Sequence, residues 1–246
     1  MIKAFFLFLL LANIVHAAEP DQELHYKCIY PVVRIQNKTE SSFGSAFVVR
    51  SEKVGDCYHN VAITCQHVVA GKRSIIVRIP EYTNWSTFVK NIESKGIVYF
   101  ENAQEDLAVI LFKTTNILHC CSFNFDENLY IGNDVEKTGF GEHNIVRHDW
   151  GKITSVNMLL DSTEHYRFTC PVVPGDSGGP LFYKNKVIGI VKGVASINAN
   201  QLFTNCGVAV KVDKIKDLAK LNPEIGFVVS EVALPVLPYI QLKFIK

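Results

Sequence analysis

The sequence predicts an all-β fold, and two features of the chain lead to that prediction. Short runs rich in Val and Ile recur throughout, with Gly, Asn, Asp and Ser between them, which is the pattern of strands and turns. Only one segment has a clear helical period, and the chain has no internal repeat and no Pro/Ser-rich linker. Many short strands with few helices are typical of a β-sandwich or a β-barrel.

The predicted strands share a high Val and Ile content and a turn signal on each side. In chain order they are 30–35, 45–49, 61–64, 74–79, 107–112, 187–191 and 207–212. The helix is predicted over 212–221, where apolar residues recur at helical spacing. It should stop before Pro223, because the residue before a proline avoids the helical conformation. Residues 222–246 form an apolar tail without a clear period.

The composition narrows the class of protein. A chain of 246 residues is one large domain or two small ones. With 48% hydrophobic and 20% charged residues it is not an intrinsically disordered chain. Lys and Arg total 25 against 24 Asp and Glu, for a net charge of +1. Such a balance argues against binding to nucleic acid or to an anionic membrane, because both need concentrated positive charge.

The N-terminus reads as a secretory signal peptide over residues 1–17. Lys3 is followed by an apolar stretch over 4–11, and the segment ends with the small residue Ala17. A membrane anchor is the alternative, but the stretch is too short to span a bilayer. Cleavage after Ala17 removes Lys3 and leaves 24 residues of each sign.

No later segment is predicted to span a membrane. The longest apolar region, 227–240, is broken by Glu231, Pro235 and Pro238. We therefore expect a soluble protein that is secreted or periplasmic.

Export makes disulfide bonds possible for the seven cysteines. The odd number leaves at least one thiol unpaired or bridged to another chain. They lie at Cys28, Cys57, Cys65, Cys120, Cys121, Cys170 and Cys206. Because no CxxC pair occurs, a zinc site or a thioredoxin-like site has little support.

The segment 175–180, Gly-Asp-Ser-Gly-Gly-Pro, carries the clearest chemical signal. Its three glycines permit a tight backbone with positive φ. Such a turn exposes the Ser177 hydroxyl and aims successive N–H groups at one point. A nucleophile beside converging N–H donors is what acyl transfer requires.

A serine hydroxyl needs a nearby base, and His67 is the candidate. It stands at the end of the apolar run 61–64, where β scaffolds often carry catalytic groups. The base in turn needs an acid to fix its tautomer. Asp106 begins the apolar run 107–112 and is the candidate acid, with the neighbouring Glu105 as the alternative.

Together these residues make the chain resemble the trypsin- and chymotrypsin-like serine protease family over about residues 40–220. The matching motifs are Phe43 to Val49, Thr64-x-x-His67, Asp106 to Val109, Gly139-Phe140-Gly141, Gly175 to Pro180 and Gly189-Ile190-Val191. Within the family, Gly44-Ser45-Ala46 and His67-Val68-Val69 are more similar to the bacterial, HtrA-like branch, and no PDZ domain follows.

The resemblance implies two six-stranded antiparallel β-barrels with a cleft between them and a short C-terminal helix. The first barrel would span about 28–115 and the second about 128–212. It also implies a catalytic triad of His67, Asp106 and Ser177. The N–H groups of Gly175 and Ser177 would form the oxyanion hole. Protein or peptide substrates are implied, with no metal and no cofactor; the oligomeric state is left open.

The specificity pocket implied by the resemblance has no obvious charge. Pro171 stands six residues before Ser177, where trypsin-like members carry the Asp that binds Lys or Arg. Lys192, Gly193 and Val194 would form one wall and Gly207 the other. Lys192 points either into the cleft or to solvent. We expect no preference for cleavage after basic residues.

The chain departs from the family in two further ways. It has no Ile-Val-Gly-Gly activation sequence, so Asp176 lacks its usual amine partner. Either another cation or backbone donors pair with it, or processing near Cys28 creates a new N-terminus. The cysteines do not match the family's usual pairs, and we expect Cys57–Cys65 and Cys170–Cys206 instead.

The leading interpretation is a secreted serine endopeptidase. One rival is a protease-like binding protein that has lost catalysis, although it would be expected to lack a triad residue or Gly175. The other is a self-cleaving or structural β-barrel domain with an apolar docking tail.

Overall fold

The computed structural model of the chain describes residues 28–36, 39–82, 88–125, 128–141, 146–160, 162–198 and 201–229. Its strands form two closed six-stranded antiparallel barrels, which confirms the all-β, chymotrypsin-like fold. The expected signal peptide, 1–17, and the end of the tail, 230–246, lie outside the described residues.

The first barrel contains strands β1 to β6 in the order β1-β2-β3-β6-β5-β4. They are β1 (Ile29–Gln36), β2 (Thr39–Val54), β3 (Cys57–Thr64), β4 (Ser74–Tyr82), β5 (Phe88–Asn102) and β6 (Leu107–Thr114). The second barrel contains β7 to β12 in the order β10-β11-β12-β9-β8-β7. They are β7 (Asp134–Gly139), β8 (Arg147–Leu160), β9 (Thr163–Phe168), β10 (Pro180–Tyr183), β11 (Lys186–Asn198) and β12 (Gln201–Lys211).

Strand β6 has a continuous apolar sequence because both of its faces are buried. Its first six residues, from Leu107 to Phe112, are all buried. One face lies in the first barrel, and the other is covered by Ile215, Leu218 and Ile225 from the end of the chain. A continuous apolar run is expected of a strand that is buried on both sides. The end of the chain therefore covers the strand that follows Asp106.

The predicted C-terminal helix is present over Asp213–Leu221, and it is preceded in the chain by a single helical turn at Gln66–Val69. We call the turn α1 and the C-terminal helix α2. A 3₁₀ turn (Pro223–Ile225) and a last short helix, α3 (Gly226–Val229), follow α2. No helix in the described ranges has the length and apolar character to cross a membrane.

The start of the tail packs on the first barrel. Ile225 and Val228 are buried with the apolar residues of that barrel. The Tyr99 hydroxyl of β5 donates to the Glu224 carbonyl at 3.5 Å. This part of the tail therefore packs as part of the first barrel.

The two expected disulfides are wrong, since Cys28 instead bonds to Cys121, with Cα atoms 6.1 Å apart. Cys57, Cys65, Cys170 and Cys206 are free thiols. Cys57 begins the eight-residue strand β3 and Cys65 follows its end, so about 25 Å of extended chain separates them. They do not face each other across a hairpin.

The other expected pair also points in different directions. Cys170 lies in the core of the second barrel with Val172 and Phe168. Cys206 packs in a separate cluster with Ala195 and Val208. The two thiols therefore cannot bridge the walls of the pocket.

We predict that peptide mapping of the non-reduced protein recovers a Cys28–Cys121 pair. The bond closes a loop of 93 residues, so Cys121→Ser should lower the free energy of unfolding by about 4 kcal/mol. Cys57→Ser removes a free thiol and should change it by less than about 1 kcal/mol. Recovery of a Cys57–Cys65 or Cys170–Cys206 peptide would contradict the structure.

Candidate active site

His67 and Asp106 meet at the edge of the first barrel. The helical turn α1 follows β3 directly and carries His67. The ring Nδ1 lies 3.0 Å from Asp106 Oδ1 and 2.9 Å from Oδ2, and the His67 backbone N–H donates to Oδ1 at 2.9 Å. Because a carboxylate only accepts hydrogen bonds, Nδ1 donates in this contact, and Nε2 is the ring nitrogen left to take part in proton transfer. The histidine is thus oriented as a base.

Asp106 is held in an unusual backbone conformation just before β6. Its φ is 51°, in the left-handed region that costs a non-glycine residue about 1 kcal/mol. Strain of this kind is concentrated at functional sites. The alternative acid, Glu105, is not the partner of the His67 ring, whose Nδ1 contacts Asp106. The Glu105 backbone N–H donates to the Asn102 side chain at 2.9 Å.

The glycine-rich loop has the tight backbone that its sequence predicts. Gly175 and Gly178 have φ values of 101° and 88°. The N–H groups of Asp176, Gly178 and Gly179 all donate to backbone carbonyls. Within the described ranges, the N–H groups of Gly175 and Ser177 donate to no protein acceptor. These two donors are the pair expected to form an oxyanion hole.

The Ser177 hydroxyl is directed at the second barrel in this structure. Its Oγ donates to the Lys192 carbonyl at 3.0 Å. Within the described part of the chain, no hydrogen bond joins Oγ to the His67 ring. Catalytic hydrogen bonds are often incomplete before substrate binds, and acyl transfer here requires Oγ to turn from Lys192 to His67 Nε2.

Asp176 finds its partner within the chain. Its Oδ2 lies 2.5 Å from Lys137 Nζ, and both side chains are fully buried. The Val173 N–H donates to the same oxygen at 2.9 Å, and Lys137 also pairs with Asp149 at 2.9 Å. Of the two explanations offered by the sequence, pairing with a cation of the chain is therefore correct.

The residues expected to form the pocket lie on adjacent segments of the second barrel. Gly193 pairs with Val208 and Val194 with Gly207 across β11 and β12. The Phe168 ring packs against Gly207, so close that a Cβ there would overlap it. Pro171 is half-buried and lies between β9 and the nucleophile loop. None of these residues is acidic.

Lys192 is half-buried beside the candidate triad. Burial lowers the pKa of the His165 imidazole, and the ammonium of Lys192 lowers it further. Burial raises the pKa of the Cys65 thiol well above its usual value, Asp106 raises it further, and Lys192 opposes them. The charge of Lys192 therefore changes the pKa values of buried groups near the candidate triad.

One group in the described ranges has the residue types of a metal site. The ligand atoms of Cys65, His67 and Asp106 lie within 4.8 Å of one another. Cys65 is fully buried and its thiol donates to the Val191 carbonyl at 3.2 Å, while Nδ1 of His67 already donates to Asp106. A neutral thiol is not a metal ligand, so the arrangement fits a histidine–aspartate pair better than a metal centre.

Sequence reasoning missed Lys137 as a partner of Asp176. A weak signal was present, because Val135 and Lys137 alternate along β7 and both face inward. A lysine at an inward position needs a buried carboxylate. The chain offers Asp176, but it lies 39 positions after Lys137 in the sequence, so no local pattern reveals the pairing.

The family model of the trypsin-like peptidase domain matches residues 44–190. The match covers more than half of the chain and includes His67, Asp106 and Ser177. No curated protein matches the chain.

Two solved structures have the same fold. A serine endoprotease from Yersinia pestis is 16% identical, with a TM-score of 0.62 over 85% of this chain and 66% of that one. A variant of the HtrA-type protease AlgW with a tripeptide is 18% identical, with a TM-score of 0.65 over 85% of this chain and 62% of that one. This chain thus spans less than two thirds of the length of either protein.

We predict that Lys137→Met lowers the free energy of unfolding by about 3–5 kcal/mol, because it leaves Asp176 buried and unpaired. Adding Asp176→Asn should restore part of the loss. Lys152→Met is the matched control, since its partner Asp134 is exposed and exposed pairs contribute little. Urea denaturation measures all three, and a Lys137→Met protein as stable as wild type would refute the assigned pairing.

Proposed function

This chain belongs to the trypsin-like peptidase family, a family of serine-type endopeptidases, and we propose that it is a secreted enzyme with a His67–Asp106–Ser177 triad. The observation that carries the proposal is the bond between His67 Nδ1 and both oxygens of Asp106. It leaves Nε2 as a base on the side away from the carboxylate. The nucleophile loop supplies the second half of the site. It carries Ser177 and, in the described structure, the N–H groups of Gly175 and Ser177 that donate to no backbone carbonyl.

In the proposed reaction, Ser177 Oγ forms a bond to the scissile carbonyl carbon and its proton passes to His67 Nε2. The imidazolium that results is stabilised by Asp106. His67 then gives the proton to the leaving amine as the peptide bond breaks. Water attacks the acyl-enzyme by the same route, with His67 again as base, and releases the acid and Ser177.

The N–H groups of Gly175 and Ser177 would stabilise the negative oxygen of each tetrahedral intermediate. One such donor typically contributes about 3 kcal/mol to transition-state stabilisation. Within the described part of the chain, neither N–H donates to a backbone carbonyl. The Lys137–Asp176 pair supports this arrangement, because it fixes Asp176, the residue between Gly175 and Ser177.

The pocket residues support substrates without a basic side chain at the cleavage site. Pro171, Gly193, Val194 and Gly207 offer no carboxylate, and Lys192 would repel a cation. We therefore propose that Lys and Arg are not the preferred residues before the scissile bond.

Secretion or periplasmic export is supported by the signal pattern over 1–17 and by the Cys28–Cys121 disulfide. Disulfides persist in oxidising compartments and are rare in the cytosol. The proposed partners are protein or peptide substrates, and the proposed chemistry uses no metal and no cofactor.

The second candidate is a protease-like binding protein without activity. The contact of Ser177 Oγ with the Lys192 carbonyl favours it, because the hydroxyl is not bonded to the base. A test of the Ser177 nucleophile therefore separates the two functions.

We predict that a fluorophosphonate probe labels the purified mature protein through a new bond from Ser177 Oγ to phosphorus, with loss of fluoride. Ser177→Ala should abolish labelling, and His67→Ala should slow it at least about 100-fold, since the base is lost. Ser94→Ala is the matched control, because Ser94 is a half-buried serine on β5, in the first barrel, whose hydroxyl donates to the Lys113 carbonyl. A folded wild-type protein that is not labelled would refute the enzyme and favour the binding protein.

A further inference from the structure

Ser45 belongs to the first barrel, but its backbone N–H and its hydroxyl contact the second. It lies on β2 and is fully buried. Its backbone N–H donates to the Ser177 carbonyl at 2.7 Å. Its hydroxyl donates to the Gly175 carbonyl at 2.7 Å and accepts the Phe140 N–H at 2.8 Å. One residue thus links β2, the end of β7 and the nucleophile loop.

The direction of the Ser45 hydroxyl is fixed by its two partners. The Phe140 N–H can only donate, so Oγ must accept from it. The single hydroxyl proton is then left for the Gly175 carbonyl. No other arrangement satisfies all three buried groups, and a buried group without a partner is costly.

These bonds hold the peptide planes next to the candidate oxyanion donors. Ser45 fixes the carbonyls of Gly175 and Ser177, which belong to the peptide units 175–176 and 177–178. The unit between them, 176–177, carries the Ser177 N–H. The unit before them carries the Gly175 N–H. Neither donor can rotate freely while the two carbonyls are bonded to Ser45.

Gly175 is also enclosed on the side facing Phe140. Its φ is 101°, and a Cβ there would lie 2.4 Å from both the Phe140 carbonyl oxygen and the Phe43 ring. Phe140 is itself held by Ser45. Loss of the Ser45 hydroxyl would therefore release both Gly175 and one of the groups that enclose it.

We propose that Ser45 is a positioning residue of the oxyanion hole, which orients the Gly175 and Ser177 N–H groups from the opposite barrel. The inference rests on the proposed peptidase function. Ser45 does not touch substrate, so its effect reaches the reaction only through the two donors. Docking of the first barrel on the second is then what completes the hole.

The test compares Ser45→Ala with Thr114→Val, using the concentration of active sites from probe labelling. Thr114 is a matched control, because its hydroxyl also accepts one hydrogen bond, from the Asn60 side chain, and donates one to a backbone carbonyl, that of Asn116. It lies at the end of β6 and outside the candidate site. Both variants lose one hydroxyl with two partners.

For Ser45→Ala we expect kcat per active site to fall about 10–100-fold, since complete loss of one oxyanion donor costs about 100–1000-fold. KM should stay within about twofold, because ground-state binding is unchanged. Inhibition by a peptide aldehyde, which forms a tetrahedral adduct on Ser177, should weaken by the same factor as kcat. The corresponding peptide alcohol, which forms no adduct, should bind equally to both proteins.

Thr114→Val should keep kcat and aldehyde affinity within about twofold of wild type. If Ser45→Ala does not fold, Ser45→Cys provides the test, because its thiol is a weak donor and should give a smaller loss of the same kind. A Ser45 variant with wild-type kcat per active site, or one that loses only active fraction, would overturn the inference. These outcomes differ from failure of the proposed peptidase function, in which the wild-type protein itself would not be labelled by the probe.

Discussion

The buried ion pair between Lys137 and Asp176 is the interaction on which the candidate site depends. Both side chains are fully buried, and a charge in such surroundings is tolerated only when it is paired and hydrogen-bonded. Asp176 stands between Gly175 and Ser177, which carry the proposed oxyanion donors, so its position sets theirs. The pair ties this loop to β7, while Ser45 ties it to β2. The nucleophile loop is therefore held from both barrels.

The arrangement of the two barrels explains why the chain needs both. The first barrel supplies His67, Asp106 and Ser45, and the second supplies the loop around Ser177. Helix α2 follows the last strand of the second barrel but packs on β6 of the first. The strand that follows Asp106 is thereby buried on both faces, and the proposed base and its acid rest on a rigid support.

Much of the fold, and the central residues of the candidate site, could be predicted because short local sequence patterns indicate them. Runs of Val and Ile mark the strands, and His67 and Ser177 lie in motifs of a few residues. The partners of buried charges and thiols could not be predicted, since they are brought together only by the barrels. Lys137 is 39 residues from Asp176, and Cys28 is 93 residues from Cys121. The failed Cys57–Cys65 pair shows the same limit, because one straight strand separates cysteines that are near in sequence.

Lys137 takes the place of an activating N-terminal amine as the partner of Asp176. The direct measurement is active-site titration of the mature protein before and after chemical acetylation of its N-terminal amine at a pH where lysines react slowly. We expect the same titratable fraction in both samples, because Asp176 is already paired within the chain. A fraction that vanishes on acetylation, or that appears only after proteolytic cleavage near Cys28, would contradict it.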